Sequence, residues 1–210
     1  PIRLSMLPEL EDMSLPMEGV AHNISVVKIK NNYPGQAYKV MNALWGAGQM
    51  MFNKIMVAVD GEIDIHNSLQ LAQNISMNVN LGSDLFFSKG PLDVLDHASE
   101  KPCFGSKIFI DATSKNVNKS KLIFNIDVER IVEDLSPLPY GVRSYSTNLI
   151  SNKISALIVS VDKTGTLNMV ELTSRLFRTG SLQNLKAIIL VDKEIDVNNL
   201  SNVVWYMAGN

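Results

Sequence analysis

The sequence predicts an α/β fold: a Rossmann-like, mainly parallel sheet flanked by helices, in which one β-α-β-α unit occurs twice. Three observations carry this expectation. Short β-branched or continuously apolar runs alternate with segments whose apolar residues recur at helical spacing, the pattern of strands joined by crossover helices. The connections are short, and right-handed crossovers then make neighbouring strands parallel. Finally, residues 54–67, KIMVAVDGEIDIHN, align without a gap on residues 186–199, KAIILVDKEIDVNN. Seven of the 14 positions are identical at a constant offset of 132 residues. Self-similarity of this kind marks an internal duplication.

Taken in order, residues 1–22 read as an acidic, irregular linker or lid, punctuated by Pro8, Pro16 and Gly19. A first α/β unit follows over 23–115. Ile24–Ile29 is a β-branched strand. After the Pro34-Gly35 turn, Ala37, Val40, Met41, Leu44, Gly48, Met51 and Phe52 share one helical face, which Gly46 and Gly48 end or loosen. Ile55–Val59 is apolar throughout and ends in Asp60, as expected of a strand buried on both faces. A helix over Ser68–Asn78 and a short strand near 85–87 come next. Residues 88–107 read as a long loop. It carries Leu92, Val94, Leu95 and Phe104, too apolar for disorder, and loops of that length are usually functional. Residues 108–110 and 122–126 are further strand expectations. A connecting segment covers 116–152, with 135–152 read as loop from Pro137, Pro139 and Gly141.

The second unit, 153–210, repeats the first: a strand over 154–161, a helix marked by Met169, Leu172, Leu176 and Phe177, a strand over 185–191 ending in Asp192, and a helix marked by Leu200, Val203, Val204, Met207 and Ala208. It is truncated, stopping where the first copy goes on to a strand at Leu85. With Pro1 at the start, the expectation is a fragment of a longer polypeptide.

Composition bounds the function. The 210 residues are 46% hydrophobic and 19% charged, enough for a sizeable core without disulfides or metal. Lys and Arg number 19 against 21 Asp and Glu, which removes the basic footprint of a nucleic-acid or polybasic membrane binder. The single Cys103 suits a reducing compartment, so a cytoplasmic protein is expected. No apolar run reaches the roughly 18 residues of a membrane span, and the N-terminus lacks a signal-peptide core. The Asn-x-Ser triplets at Asn23, Asn74 and Asn118 are therefore expected to stay unglycosylated.

The chemistry-bearing residues form no motif of their own. A dinucleotide site needs glycines between the first strand and its helix, but that turn holds one Gly and a Pro, and Gly46-Ala47-Gly48 lies at the wrong end of the helix. Asp60 and Asp192 stand at strand carboxyl ends, where open α/β sheets place their sites. Yet both copies keep Asp, Glu and Asp there although the loops that follow differ, which favours a turn-capping role. His22, His66 and His97 lack metal-ligand spacing and read as hydrogen-bonded loop residues. Cys103, beside Pro102 and near Lys101 and Lys107, reads as an inert thiol. Met41, Met50, Met51 and Met56 read as core filler.

Several segments nevertheless resemble a known family. They are Leu15-Pro16-Met17-Glu18-Gly19, Tyr33-Pro34-Gly35-Gln36-Ala37-Tyr38-Lys39-Val40-Met41, Ala43-Leu44-Trp45-Gly46, Val59-Asp60-Gly61-Glu62-Ile63-Asp64-Ile65-His66, Gly90-Pro91-Leu92-Asp93-Val94-Leu95-Asp96-His97-Ala98-Ser99, and Gly105-Ser106-Lys107 with Asp111-Ala112-Thr113. In that order they resemble the C-terminal portion of UbiD-type decarboxylases, the 3-polyprenyl-4-hydroxybenzoate carboxy-lyases of ubiquinone biosynthesis and their menaquinone-associated relatives. The resemblance covers 8–115 and reaches 154–210 through the repeat.

That resemblance implies a parent enzyme that decarboxylates an aromatic acid non-oxidatively on prenylated FMN, with Mn2+ and K+. It implies that the catalytic and metal-binding residues lie upstream, none in this chain, so that the fragment binds no cofactor and is inactive alone. This domain would build the homo-oligomer interface and close one side of the active-site cleft. Leu92 and Leu95 become substrate-pocket walls, and Gln49 and Lys54 candidate contacts to the flavin phosphate. The implied partners are a second copy and the parent's N-terminal and central flavin domains, with neither nucleic acid nor a transmembrane segment; a peripheral membrane contact of the parent is compatible. A different class stays open: a stand-alone α/β interaction or small-ligand-binding module with no enzymatic activity.

Overall fold

In the computed structural model, residues 7–20, 22–114, 126–163 and 167–209 are described. The chain divides into two compact units, Pro1–Leu122 with Val204–Asn210, and Ile123–Val203.

The first unit is a five-stranded sheet in the order β1-β2-β3-β5-β4. Its strands are β1 (Leu10–Ser14), β2 (Ile24–Ile29), β3 (Ile55–Val59), β4 (Leu85–Pro91) and β5 (Phe104–Asp111), with helices α1 (Gln36–Trp45) and α2 (Ser68–Asn78). β2 and β3 are apolar at nearly every position because both faces are covered. On one face Val27, Met56, Ala58 and Phe109 pack under Val40, Met41 and Leu44 of α1. On the other, Val26, Val57, Val59 and Ala112 pack with Ile63, Ile65 and Val79 around α2. Tyr38 meets the fully buried Phe109 edge to face, with ring centroids 5.2 Å apart. The glycines end α1 as expected. Gly48 takes a φ of +60°, open to glycine and strained for other residues, and starts a separate 3-10 turn, Gly48–Phe52.

The second unit holds α3 (Val128–Asp134), β6 (Val142–Ser146), α4 (Asn148–Ser151), β7 (Ala156–Val161), α5 (Met169–Arg178), a 3-10 turn (Gly180–Asn184), β8 (Ala187–Asp192) and the start of α6 (Leu200–Gly209). From Val204 on, α6 groups with the first unit. β6, β7 and β8 form a three-stranded sheet in that order. Leu157, Val159 and Val161 of β7 pack with Leu172, Leu176 and Leu182 in its core.

The duplication is present in backbone register. Ile24 pairs with Ile55 as Ala156 pairs with Ala187, each residue displaced by 132. It also reaches further towards the N-terminus than the sequence indicates. β1 lies antiparallel to β2 with Leu10 opposite Ile29, and β6 lies antiparallel to β7 with Val142 opposite Val161. Both edges carry an irregularity at the same place, between Leu10 and Asp12 and between Val142 and Ser144.

Four expectations change. The sheet is mixed rather than mainly parallel: β2-β3, β3-β5 and β7-β8 are parallel, while β1, β4 and β6 pair antiparallel at sheet edges. Within the linker or lid over 1–22, residues Leu10–Ser14 form a strand. The loop over 88–107 shrinks to 92–103, because β4 and β5 form a long antiparallel pair. The loop over 135–152 contains β6 and α4. In each case a polar or glycine-containing edge segment is held by backbone pairing to a strong neighbour, which local composition does not register. Of the strand expected over 122–126, residues 122–125 lie outside the described residues, and Ile126 is not in a strand.

Candidate functional site

The paired strand-end aspartates bind residues just beyond neighbouring strands, which corrects the turn-capping expectation. Asp60 accepts hydrogen bonds from the Asn31 side chain (3.1 Å) and from the backbone N–H and hydroxyl of Ser114 (2.7 and 2.8 Å). Asp192 pairs with Lys163 at 2.6 Å, and Lys163 stands 132 residues after Asn31. The rest of the shared motif is structural too. Asp64 accepts from the N–H of His66 as Asp196 does from Asn198. Asn67 caps α2 through the N–H of Gln70, and Asn199 accepts from Asn202 in the same way. These side chains satisfy amides that a helix start leaves open, and this explains why two copies with different surroundings keep them.

The residues singled out by resemblance gather at the opposite end, where chain enters β2, β3 and β5. Residues 92–103 join β4 to β5, and two aspartates tie this loop across the sheet. Asp93 meets His22, just before β2, with Oδ2 2.8 Å from Nδ1. Asp96 meets Lys54, just before β3, at 2.5 Å. The hydroxyl of Ser99 also donates to Asp96. Hydrogen bonding from His22, with help from the N–H of Leu95, holds the Asp93 carboxyl below the usual range. Burial pushes the Asp96 carboxyl up, but the hydrogen bonds from Lys54 and Ser99 and the Lys54 charge outweigh it and leave it lowered.

Leu92 is buried at 1% exposure and anchors the loop, its N–H donating to the Cys103 carbonyl at 2.9 Å. Gly105 lies against it: a Cβ there would come within 2.9 Å of Leu92 Cδ1 and 2.5 Å of Ser99 Oγ. Leu95 is 44% exposed and faces outward. Gln49 is exposed on the 3-10 turn. Lys54 is neutralised by Asp96.

One buried residue escaped the sequence reading. Lys107, on β5, is 3% exposed. Burial pushes its amine down to about 8. Nζ donates to the Met51 carbonyl and stands 5.1 Å from the centre of the Trp45 ring. Trp45 Nε1 donates to Asn53 Oδ1 at 3.2 Å, and Asn53 Nδ2 donates to the His22 carbonyl at 2.7 Å. Lys107 therefore fixes the 3-10 turn and, through Asn53, the backbone of His22. In the sequence Lys107 stands only as the end of the Gly105-Ser106-Lys107 segment and as a neighbour of Cys103, with nothing to mark its burial, because a lysine in a strand ordinarily faces water.

Beside these groups runs a cleft of about 310 Å³, with Leu7, Met13, Leu15, Leu44 and Met50 among its apolar walls and His22 and Gln49 as polar members. The other histidines stand elsewhere: His66 is exposed and pairs with Asp12 at 3.2 Å, and His97 is exposed. Cys103 is exposed. Among the described residues no group of three or more His, Cys, Asp or Glu could hold a metal ion, and no helix is long and apolar enough to cross a membrane.

A mixed α/β fold with this loop at its strand starts defines a class through comparison. The profile of the 3-octaprenyl-4-hydroxybenzoate carboxy-lyase C-terminal domain matches residues 1–112 and 131–210, and the chain belongs to that family. An uncharacterised protein of Archaeoglobus fulgidus is 40% identical over 116 residues, 55% of this chain and 24% of its own length. An uncharacterised protein of Helicobacter pylori is 29% identical over 213 residues, 100% of this chain and 33% of its own. The chain thus spans a quarter to a third of these relatives. Among solved structures, the UbiD-class enzyme HmfF from Pelotomaculum thermopropionicum in complex with FMN shares the fold at TM-score 0.50 and 22% identity, over 63% of this chain and 29% of that one. The closed form of the vanillic acid decarboxylase of Sedimentibacter hydroxybenzoicus matches at TM-score 0.50 and 25% identity, over 64% and 29%.

Proposed function

We propose that this chain is the C-terminal oligomerisation and cleft-closing domain of a prenyl-FMN-dependent decarboxylase acting on an aromatic acid in quinone biosynthesis. The observation that carries the reading is the family match across both repeats, on a chain covering only part of its relatives' length. The flavin, with its Mn2+ and K+, is assigned to the parent's upstream domains. The cofactor supplies the electron sink for decarboxylation, and protein groups orient it.

Within this reading the loop over 92–103 is the part of the domain that faces the acid. Leu95 is its exposed wall and Leu92 the buried foot that sets its height. Gln49 is the side chain free to meet a flavin phosphate, since Lys54 is held by Asp96. Apolar surface at the sheet edge supports self-association: Phe86, Phe87 and Phe104 are 41%, 68% and 45% exposed on β4 and β5. The setting is the cytoplasm.

The test compares residues 1–210 with the parent polypeptide, both coexpressed with a flavin prenyltransferase. The parent should carry flavin absorbance and release CO2 from an aromatic acid, and Leu95→Glu in the parent should lower kcat/KM at least tenfold. Residues 1–210 alone should be colourless and inactive, and should sediment as a dimer or larger. Flavin absorbance or decarboxylation by residues 1–210 alone would overturn the assignment.

A further inference from the structure

His22 and Asp93 form a dyad whose histidine the repeated strand start does not require. The second unit is built on the same register, yet the position equivalent to His22 is Ile154. Ile154 sits two residues before β7 as His22 sits two before β2, and it is buried in an ordinary core. A strand start of this kind therefore forms with an aliphatic side chain. The histidine is particular to the first copy's strand start.

The placement of that histidine is informative. Asp93 Oδ2 lies 2.8 Å from His22 Nδ1, so the carboxylate holds the imidazole by that nitrogen and leaves Nε2 as its second polar atom. Among the described residues Nε2 has no hydrogen-bond partner. His22 lines the cleft of about 310 Å³, whose other walls are leucine, methionine and alanine apart from Gly48 and Gln49. An apolar cavity of that size with one or two oriented polar groups is the usual form of a small-molecule site. Flexible methionines such as Met13 and Met50 let such a cavity adapt to its occupant.

We infer that this cleft binds a small apolar molecule bearing one hydroxyl, with the hydroxyl hydrogen-bonded to His22 Nε2 and Asp93 fixing the imidazole for that contact. The neighbouring Asp93 carboxylate favours a neutral hydroxyl over an anionic head group. The inference does not rest on the decarboxylase reading, because no step of that reaction enters it.

The probe is 4-propylphenol, compared with propylbenzene, on residues 1–210 carrying 13C-methyl methionine. In the wild type the phenol should shift the Met13 and Met50 methyl signals saturably and bind about fivefold to tenfold more tightly than the hydrocarbon, the worth of one net hydrogen bond. In His22→Ile, the residue the second copy carries, hydrocarbon binding should persist and the preference for the phenol should vanish. Ala47→Phe should fill the cleft and abolish both, with circular dichroism unchanged. An undiminished phenol preference in His22→Ile would overturn the role of the dyad. Absence of saturable shifts in the wild type, or unchanged binding in Ala47→Phe, would overturn the site.

Discussion

Replacing Lys107 with methionine should raise stability at neutral pH and lower it at high pH, and the crossing is the informative part. The Lys107 amine lies at about 8 in the folded chain against 10.5 in the open one. Between those values the unfolded state holds a proton that the folded state has lost, so stability rises with pH across that window. At about 1.4 kcal/mol per pH unit, the charged buried amine costs about 3 kcal/mol below pH 8. Methionine keeps the stem that lies against Gly90 but gives up the Nζ bond to the Met51 carbonyl and its place over the Trp45 ring, together a loss of about 1–2 kcal/mol. The variant should therefore be more stable than the wild type by about 1–2 kcal/mol at pH 7, and less stable by a similar amount near pH 10.5. Urea titrations followed by Trp45 fluorescence, in a Trp205→Phe background that leaves it the sole tryptophan, measure both differences. An equal difference at the two pH values would refute the account of Lys107 as a desolvated, titrating amine.

Other substitutions test the remaining joints. Asp96→Asn leaves the Lys54 ammonium partly buried without its anion and should cost about 3 kcal/mol; because the Asp96 carboxyl is lowered in the fold, the stability it supplies is present above about pH 4 and lost as pH falls through its folded value, so the variant should show a flatter acid limb in the same titrations. Gly105→Ala should cost about 1–3 kcal/mol through overlap with Ser99 and Leu92, and Ser99→Ala in the same chain should recover part of it; an additive double mutant would contradict the contact. Asn67→Ala and Asn199→Ala should each cost about 1 kcal/mol, and a several-fold inequality between them would argue against equivalent caps.

Much of the fold was legible in local sequence. Ile24–Ile29, Ile55–Val59 and Ser68–Asn78 fall where expected, because strands covered on both faces must be apolar throughout and a helix must repeat its apolar face. The duplication was legible as well, since within the shared run Asp64 and Asn67, like Asp196 and Asn199, accept from backbone groups at equivalent turns. What stayed hidden were elements whose stability is borrowed. β1 reads Leu-Glu-Asp-Met-Ser and β6 Val-Arg-Ser-Tyr-Ser, and neither has a strand signature until β2 or β7 offers it a ladder. β4 and β5 carry Gly90, Pro91, Gly105 and Lys107, residues that mark loops in isolation.

The candidate site divides the same way. Sequence alone supplied its ingredients: the Leu92–Asp96 segment, Gln49, Lys54 and three histidines with no spacing to choose among them. Only the tertiary structure joined His22 to Asp93 across 71 residues and Lys54 to Asp96 across 42, and only it showed Lys107 inside the protein. The physical reason is range. Periodicity and capping are set by neighbours within a turn or two of chain, so sequence encodes them directly. Ion pairs and buried charges depend on which strands the sheet makes adjacent, and that adjacency exists only once the chain has closed on itself.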